Sequence, residues 1–422
     1  MTKAAPLWPP LWPWSLFAAM IAAAGLPIYI HAPKFYVDTY GTSLTALGLT
    51  LAALRLIDVV QDPLLGWLAE AGRKRRAALV WGAAMVMALA MIGLFAIAPP
   101  IAPLAWFAIT LALLFSGFSF LTIVFYAQGV EKAALLGPTG HFRLAGWRET
   151  GSLLGVSLAA VAPVVLGSFT DRPFTGFAAG FALLALVAVV TMRREWTAAP
   201  ATQTPADAVG LFRPILADPL SRRLLLIALL NAAPVAVTST LFLFFVESRL
   251  GAPGLEGPLL LLFFLSAAAS APFWSRSAAR FGAKRSLLAA MALAIAAFLW
   301  AVALREGDAL PFAVICTASG AALGADLTLL PALFARRLSA LGKGEGAAFG
   351  LWSFMSKLSL ALAAATLLPA LSAAGFTPGT DNPPDALLAL SLLYAALPCA
   401  LKLIAMALLV TTETAETAET HA

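Results

Sequence analysis

The stretch Thr42 to Leu68 reads TSLTALGLTLAALRLIDVVQDPLLGWL, an apolar run long enough to cross a bilayer with Arg55, Asp58 and Asp62 inside it. At 100° per residue the spacing i, i+3, i+7 places the three side chains within an arc of about 60° and along about 10 Å of helix axis. They form one charged stripe on one face. An ionised group at bilayer depth costs on the order of 2.5 to 3.5 kcal/mol, so three kept together mark a face that is used. Two carboxylates four residues apart can aim both heads at one Na⁺, or hold and exchange a proton. The structural alternative is a pair of helix-locking ion pairs, Arg55 with Asp58 and Lys357 with Asp62.

The rest of the chain supplies the setting for that stripe. Of its 422 residues 61% are hydrophobic and 11% charged, and the mean hydropathy is +0.90. This leaves too little polar surface to cover a soluble globule, so the chain reads as an all-α polytopic membrane protein. Apolar runs of helical length recur throughout; a β-barrel would show short alternating segments. Twelve spans are expected, near 13–36, 43–68, 77–98, 103–130, 145–168, 174–192, 223–247, 257–280, 286–304, 309–334, 346–371 and 385–410.

Basic residues orient them. Loops after even-numbered spans carry Arg73, Lys74, Arg75, Arg76, Arg143, Arg193, Arg194, Arg276, Arg280, Lys284, Arg285, Arg336 and Arg337, whereas the opposite loops carry Arg172, Arg249 and Arg305. The positive-inside rule then puts both termini in the cytoplasm. The net charge of +6 is a topology signal and implies no nucleic-acid partner. Cys316 and Cys399 fall inside spans and read as small buried hydrophobes. Lys402, toward the inner end of the last span, is expected to snorkel. His31, between Pro27 and Pro33, is either a proton relay or a histidine near the outer interface.

Between Met192 and Leu224 the composition turns polar, with six spans on either side. The loop from Gly66 to Arg76, GWLAEAGRKRR, resembles the signature GxxxDRxGRR of the major facilitator superfamily with one residue missing and Glu70 in the acidic place. Its counterpart from Arg276 to Arg285 repeats the theme. The expected organisation is a six-helix bundle over 1–192, a cytoplasmic linker over 193–222, a second six-helix bundle over 223–411 and a disordered tail over 412–422.

A narrower resemblance follows. The string Arg55-x-x-Asp58-x-x-x-Asp62-Pro63-x-x-Gly66 is similar to the second helix of the glycoside/pentoside/hexuronide:cation symporters, the melibiose permease type. Phe125-Tyr126-Ala127-x-Gly129-x-Glu131, Arg143-Leu144-Ala145-Gly146-Trp147-Arg148-Glu149, Gly324-Ala325-Asp326-Leu327 and the block from Trp352 to Lys357 resemble later helices of that family, in its order. The resemblance implies a cation site at Asp58 and Asp62 with a fourth-helix hydroxyl at Ser119. It also implies a charge network of Arg55, Lys357 and Arg148. Two aspartates that bind sugar in melibiose-transporting members are replaced here, the nearest positions being Ala22 and Thr122. Tyr29, Tyr126, Trp147, Asn231 and Trp352 are further candidates to line a solute cavity, because aromatic rings stack on sugars and amides bond hydroxyls.

The expectation is therefore a secondary active transporter, and no enzyme: cation-coupled symport of a glycoside or related small polar solute by alternating access. An amphipathic, lysophospholipid-like cargo is the alternative. The coupling ion is Na⁺ or H⁺, with no other cofactor. The partners are the solute and the lipid bilayer, the chain acts as a monomer, and the location is a bacterial inner membrane.

Overall fold

The computed structural model describes residues 10–196, 208–342, 345–377 and 382–412, and within them every regular element is helical. The expected tail lies outside the described residues from position 413 onward. The chain divides into two compact units: residues 1–211 with 338–350, and residues 212–337 with 351–422. The division in the middle of the chain falls inside the polar interval that the composition marks.

The first unit holds α1 (Trp12–Ala23), α2 (Leu26–Tyr40), α3 (Leu44–Ala71), α4 (Arg76–Phe95), α5 (Pro103–Ala134), α6 (Gly140–Gly167) and α7 (Pro173–Met192). The expected first span is two helices broken at Ala24–Gly25, with Pro27 in the first turn of α2, where its missing N–H costs nothing. Pro33 is carried inside α2 without ending it. Helix α1 lies directly on α6. Gly151 and Gly155, one turn apart on α6, face Ser15 and Ala19, and an added methyl at either glycine would collide with the α1 backbone. Small residues at i and i+4 let two helices approach closely where no water drives them together. Trp14 is fully buried and stacked on Phe125 at 5.1 Å.

The second unit begins in α8 (Ala208–Ala217) and continues through α9 (Pro219–Phe244), α10 (Glu256–Phe281), α11 (Ala283–Ala301), α12 (Ala309–Leu341), α13 (Glu345–Ala373), α14 (Pro384–Ser391) and α15 (Leu397–Val410), except that the end of α12 from 338 and the start of α13 to 350 belong to the first unit. Asp218 caps α9, accepting the backbone N–H of Ser221 at 2.8 Å. Gly320 and Gly324 of α12 repeat the small-residue device against Phe263 and Ser270 of α10. The core of this unit is aromatic, with Tyr394 stacked on Phe245 at 4.1 Å and both in contact with Phe312. Among the described residues ten helical segments are long and apolar enough to cross a membrane, and Trp12–Ala23 is a shorter apolar one. The chain is an integral membrane protein.

Candidate functional site

The two acids of the stripe on α3 face protein. Asp58 is 5% exposed and Asp62 fully buried, while Leu56, Ile57 and Val60 beside them are exposed, so the helix turns its acids inward and its branched side chains to lipid. Gln61, between the two acids in sequence, donates from Nε2 to Asp58 Oδ1 at 2.6 Å and accepts from Ser116 Oγ of α5 at 2.9 Å. A polar relay thus runs from α5 to Asp58. Ser119, fully buried, lies on the same face of α5 one turn beyond Ser116. Below the acids α3 comes very close to the start of α13: a methyl on Gly66 would lie 2.9 Å from the carbonyl oxygen of Gly346 and 3.1 Å from Gly350 Cα. The side chains of Arg55 and Tyr29 lie outside the described residues. Lys357 is half-buried on α13.

Arg148 sits in a second cluster of the first unit. Its Nε donates to Glu149 Oε1 at 2.8 Å, its guanidinium carbon lies 3.6 Å from the centre of the Tyr126 ring, and Tyr126 Oη donates to the same Glu149 oxygen at 2.8 Å. Arg148 and Glu149 are 5% and 3% exposed. Arg148 Nη2 is buried with no partner, a donor left over in an otherwise satisfied group.

At the end of α3 the signature loop forms an ion-pair network. Arg73 reaches Glu131 at 2.5 Å, Glu70 at 3.2 Å and Glu345 at 3.5 Å, and Arg76 reaches Glu131 at 3.2 Å and also bonds Gln128. The backbone N–H of Gly346 donates to Glu70 at 3.3 Å, placing that carboxylate at the first turn of α13, where the helix dipole favours it. Glu70, in the acidic place of the resemblance, thus bonds both Arg73 and the start of α13.

Other candidates separate. Trp147 is 48% exposed and offers its carbonyl to Ser15 Oγ at 2.6 Å. The Thr122 hydroxyl is turned back to the carbonyl of Phe118 at 2.7 Å, and Ala22 is buried among apolar neighbours of α1. His31 Nε2 donates to the carbonyl of Ala160 at 2.8 Å, so this histidine ties α2 to α6. In the second unit Trp352 stacks on Phe334 at 5.1 Å. Asn231 Oδ1 accepts from Lys402 Nζ at 2.7 Å.

That last bond corrects the reading of Lys402. It does not snorkel: it is 4% exposed and pairs with Asp326 of α12 as well as Asn231 of α9. Its position along α15 gives depth but not the direction in which it points. The direction is set by an acid 76 positions earlier, which the linear pattern does not connect to it. Gln61, Ser116 and Glu131 were likewise missed as partners, although Gln61 lies on the charged helix itself.

No curated protein matches the chain in sequence. Among solved structures, it resembles a bacterial homologue of the iron transporter ferroportin in an outward-facing state (16% identity, TM-score 0.68, covering 95% of this chain and 99% of that one). It also resembles the E. coli fucose:proton symporter (17%, 0.63, 93% and 97%) and a human organic anion transporter (16%, 0.64, 95% and 100%). At these identities the likeness is one of fold. Residues 15–415 match the model of the MFS/sugar transport protein family. With that match over nearly its whole length, and with the melibiose-permease-type blocks in order along it, the chain belongs to that family of major-facilitator secondary transporters and is not an enzyme.

Proposed function

We propose that this transporter couples the entry of Na⁺ or H⁺ at Asp58 and Asp62 to uptake of a glycoside or related small polar solute by alternating access, as a monomer in a bacterial inner membrane. The observation that carries the proposal is the inward-facing acid pair on α3, buried within the bundle and one residue from the Gln61–Ser116 relay. Burial strengthens the field of both carboxylates on a small cation, and oxygen ligands suit Na⁺ or a proton equally. Ser119 is the hydroxyl placed to join them. Arg148, with a spare N–H, and the Tyr126 ring beneath it form the group suited to bind and orient a hydroxylated solute. In this scheme ion and solute favour the same conformation, so each raises the affinity for the other by the same factor.

Ala22 and Thr122 offer no free polar group where galactoside carriers hold acids, which favours a cargo with fewer hydroxyls and keeps an amphipathic solute as the second reading. The deciding experiment is uptake into proteoliposomes of a panel spanning glycosides and lysophospholipids, under separate Na⁺ and H⁺ gradients, with Asp58→Asn and Asp62→Asn alongside. Either substitution is expected to abolish gradient-driven accumulation while leaving downhill exchange measurable. Normal accumulation by both variants would make the carboxylates structural.

A further inference from the structure

We propose that the second unit holds a separate binding site for a neutral, hydroxyl-headed amphiphile, built on Asp326 and Lys402. The pair lines a partly open cavity of about 40 Å³ whose walls include Pro234, Phe263, Ile295 and Phe298. That volume admits a few water-sized groups, which is a hydroxyl with its first methylenes. All of its lining residues belong to the second unit, and none is among those assigned to ion coupling on α3 and α5.

The polar end of the cavity specifies the head group. Lys402 Nζ is shared between Asp326 Oδ2 and Asn231 Oδ1, and Asp326 Oδ1 is buried without a partner while the residue is 7% exposed. A buried carboxylate oxygen left bare is costly, so the site calls for a donor. The donor is a neutral one. An ammonium head would meet Lys402, a carboxylate head would meet Asp326, and the pair itself already balances. Thr238 and Ser319 line the same space, but the hydroxyls of both are turned to carbonyls of their own helices, at Val235 and Ile315. The remaining wall is apolar and aromatic, which suits an alkyl or ring body carried behind the hydroxyl.

The backbone around the cavity is irregular in a way that supports a ligand site. Pro234 sits inside α9 and leaves the carbonyl of Leu230 without its helical donor, and Pro398 opens α15 directly after a π-helical turn at Leu392–Ala396. Such interruptions are tolerated at membrane depth where they line a cavity.

Cys399 lines the cavity and provides a reporter, because the chain has only one other cysteine, Cys316. The full chain with Cys316→Ala, reconstituted in nanodiscs, is treated with methyl methanethiosulfonate and the rate of Cys399 modification is followed by mass spectrometry. Decan-1-ol is expected to slow the reaction threefold or more and saturably; decane, decanoate and decylamine are expected not to. Asp326→Asn is expected to remove the protection. Ala294→Phe, which fills the lining while leaving the ion pair intact, is expected to do the same and serves if the first variant does not fold. Equal protection by decane and decanol, protection by none of the four, or protection unchanged in the folded variants would overturn the site. None of these outcomes depends on ion-driven uptake, so the site and the transport proposal fail independently.

Discussion

Arg148 in the first unit gives its Nε hydrogen to Glu149 and lays its guanidinium over Tyr126; Lys402 in the second divides its ammonium between Asp326 and Asn231. Each is a cation some 95% buried in a membrane protein, and each is neutralised by one carboxylate and steadied by one neutral side chain. The remainders are opposite. Arginine brings five donors in a fixed fork, more than Glu149 and the ring can take, and a donor is left at Nη2. Lysine is a compact charge that satisfies one oxygen of Asp326, and an acceptor is left at Oδ1. In the two proposals it is the leftover atom, not the ion pair itself, that meets the ligand: the first would offer a hydrogen bond to solute oxygens, the second would accept one from a hydroxyl.

The largest effect that tests this comparison lies at the lysine pair. Lys402→Met or Asp326→Leu alone strands a buried charge and is expected to cost about 3 to 5 kcal/mol in unfolding of the purified protein, while the double variant returns close to the parent. A double-mutant cycle with no coupling energy would break the equivalence of the two clusters. At the arginine, Arg148→Lys keeps the charge beside Glu149 but loses the fork and the flat contact with Tyr126. The expected result is a rise in the apparent KM for uptake of roughly 10-fold or more, as for loss of a charge-assisted hydrogen bond of about 1.5 to 3 kcal/mol, with unfolding little changed. Unaltered uptake would show that Nη2 does not meet the solute.

The smallest effect is expected where the same chemistry is wet. Asp218 and Arg337 form a third acid–cation pair, 9% and 33% exposed, with Arg337 Nε donating to Asp218 Oδ2 at 3.0 Å. The hydrogen bonds from Arg337, aided by those from Ser221, hold the Asp218 carboxyl down at about 2, against an ordinary 3.8. A depressed carboxylate contributes its stability above the unfolded pKa, so this contribution is complete above about pH 4 and is lost as pH falls toward 2. Arg337→Gln is expected to flatten that acid limb in a pH series of thermal unfolding, at a neutral-pH cost under about 1 kcal/mol. A cost matching that of Lys402→Met would mean that burial does not separate the pairs.

Much of this architecture is legible in the order of residues because a bilayer enforces it locally. Each spanning segment must satisfy its own backbone, so a helix is written as one unbroken apolar run, and polar intervals with arginines mark where it ends. The stripe on α3 is readable for the same reason, since three charges within two turns share a face whatever lies opposite. The break in the first span is foreshadowed only by Gly25 and Pro27, and its consequence, α1 lying on α6 through Gly151 and Gly155, is not. Glu149 beside Arg148 is adjacent in sequence and visible; Tyr126, which completes that cluster, comes from another helix.

The sequence by itself determined that the protein lives in a membrane as helices, where its polar linker falls, and that α3 carries an acid pair on one side. Tertiary structure alone decided which cation meets which acid. Lys402 and Asp326 are invisible to each other along the chain, and a helix pattern fixes depth and face but not the neighbour. Only the packing of α9, α12 and α15 determines that the lysine turns inward and that one carboxylate oxygen is left without a partner.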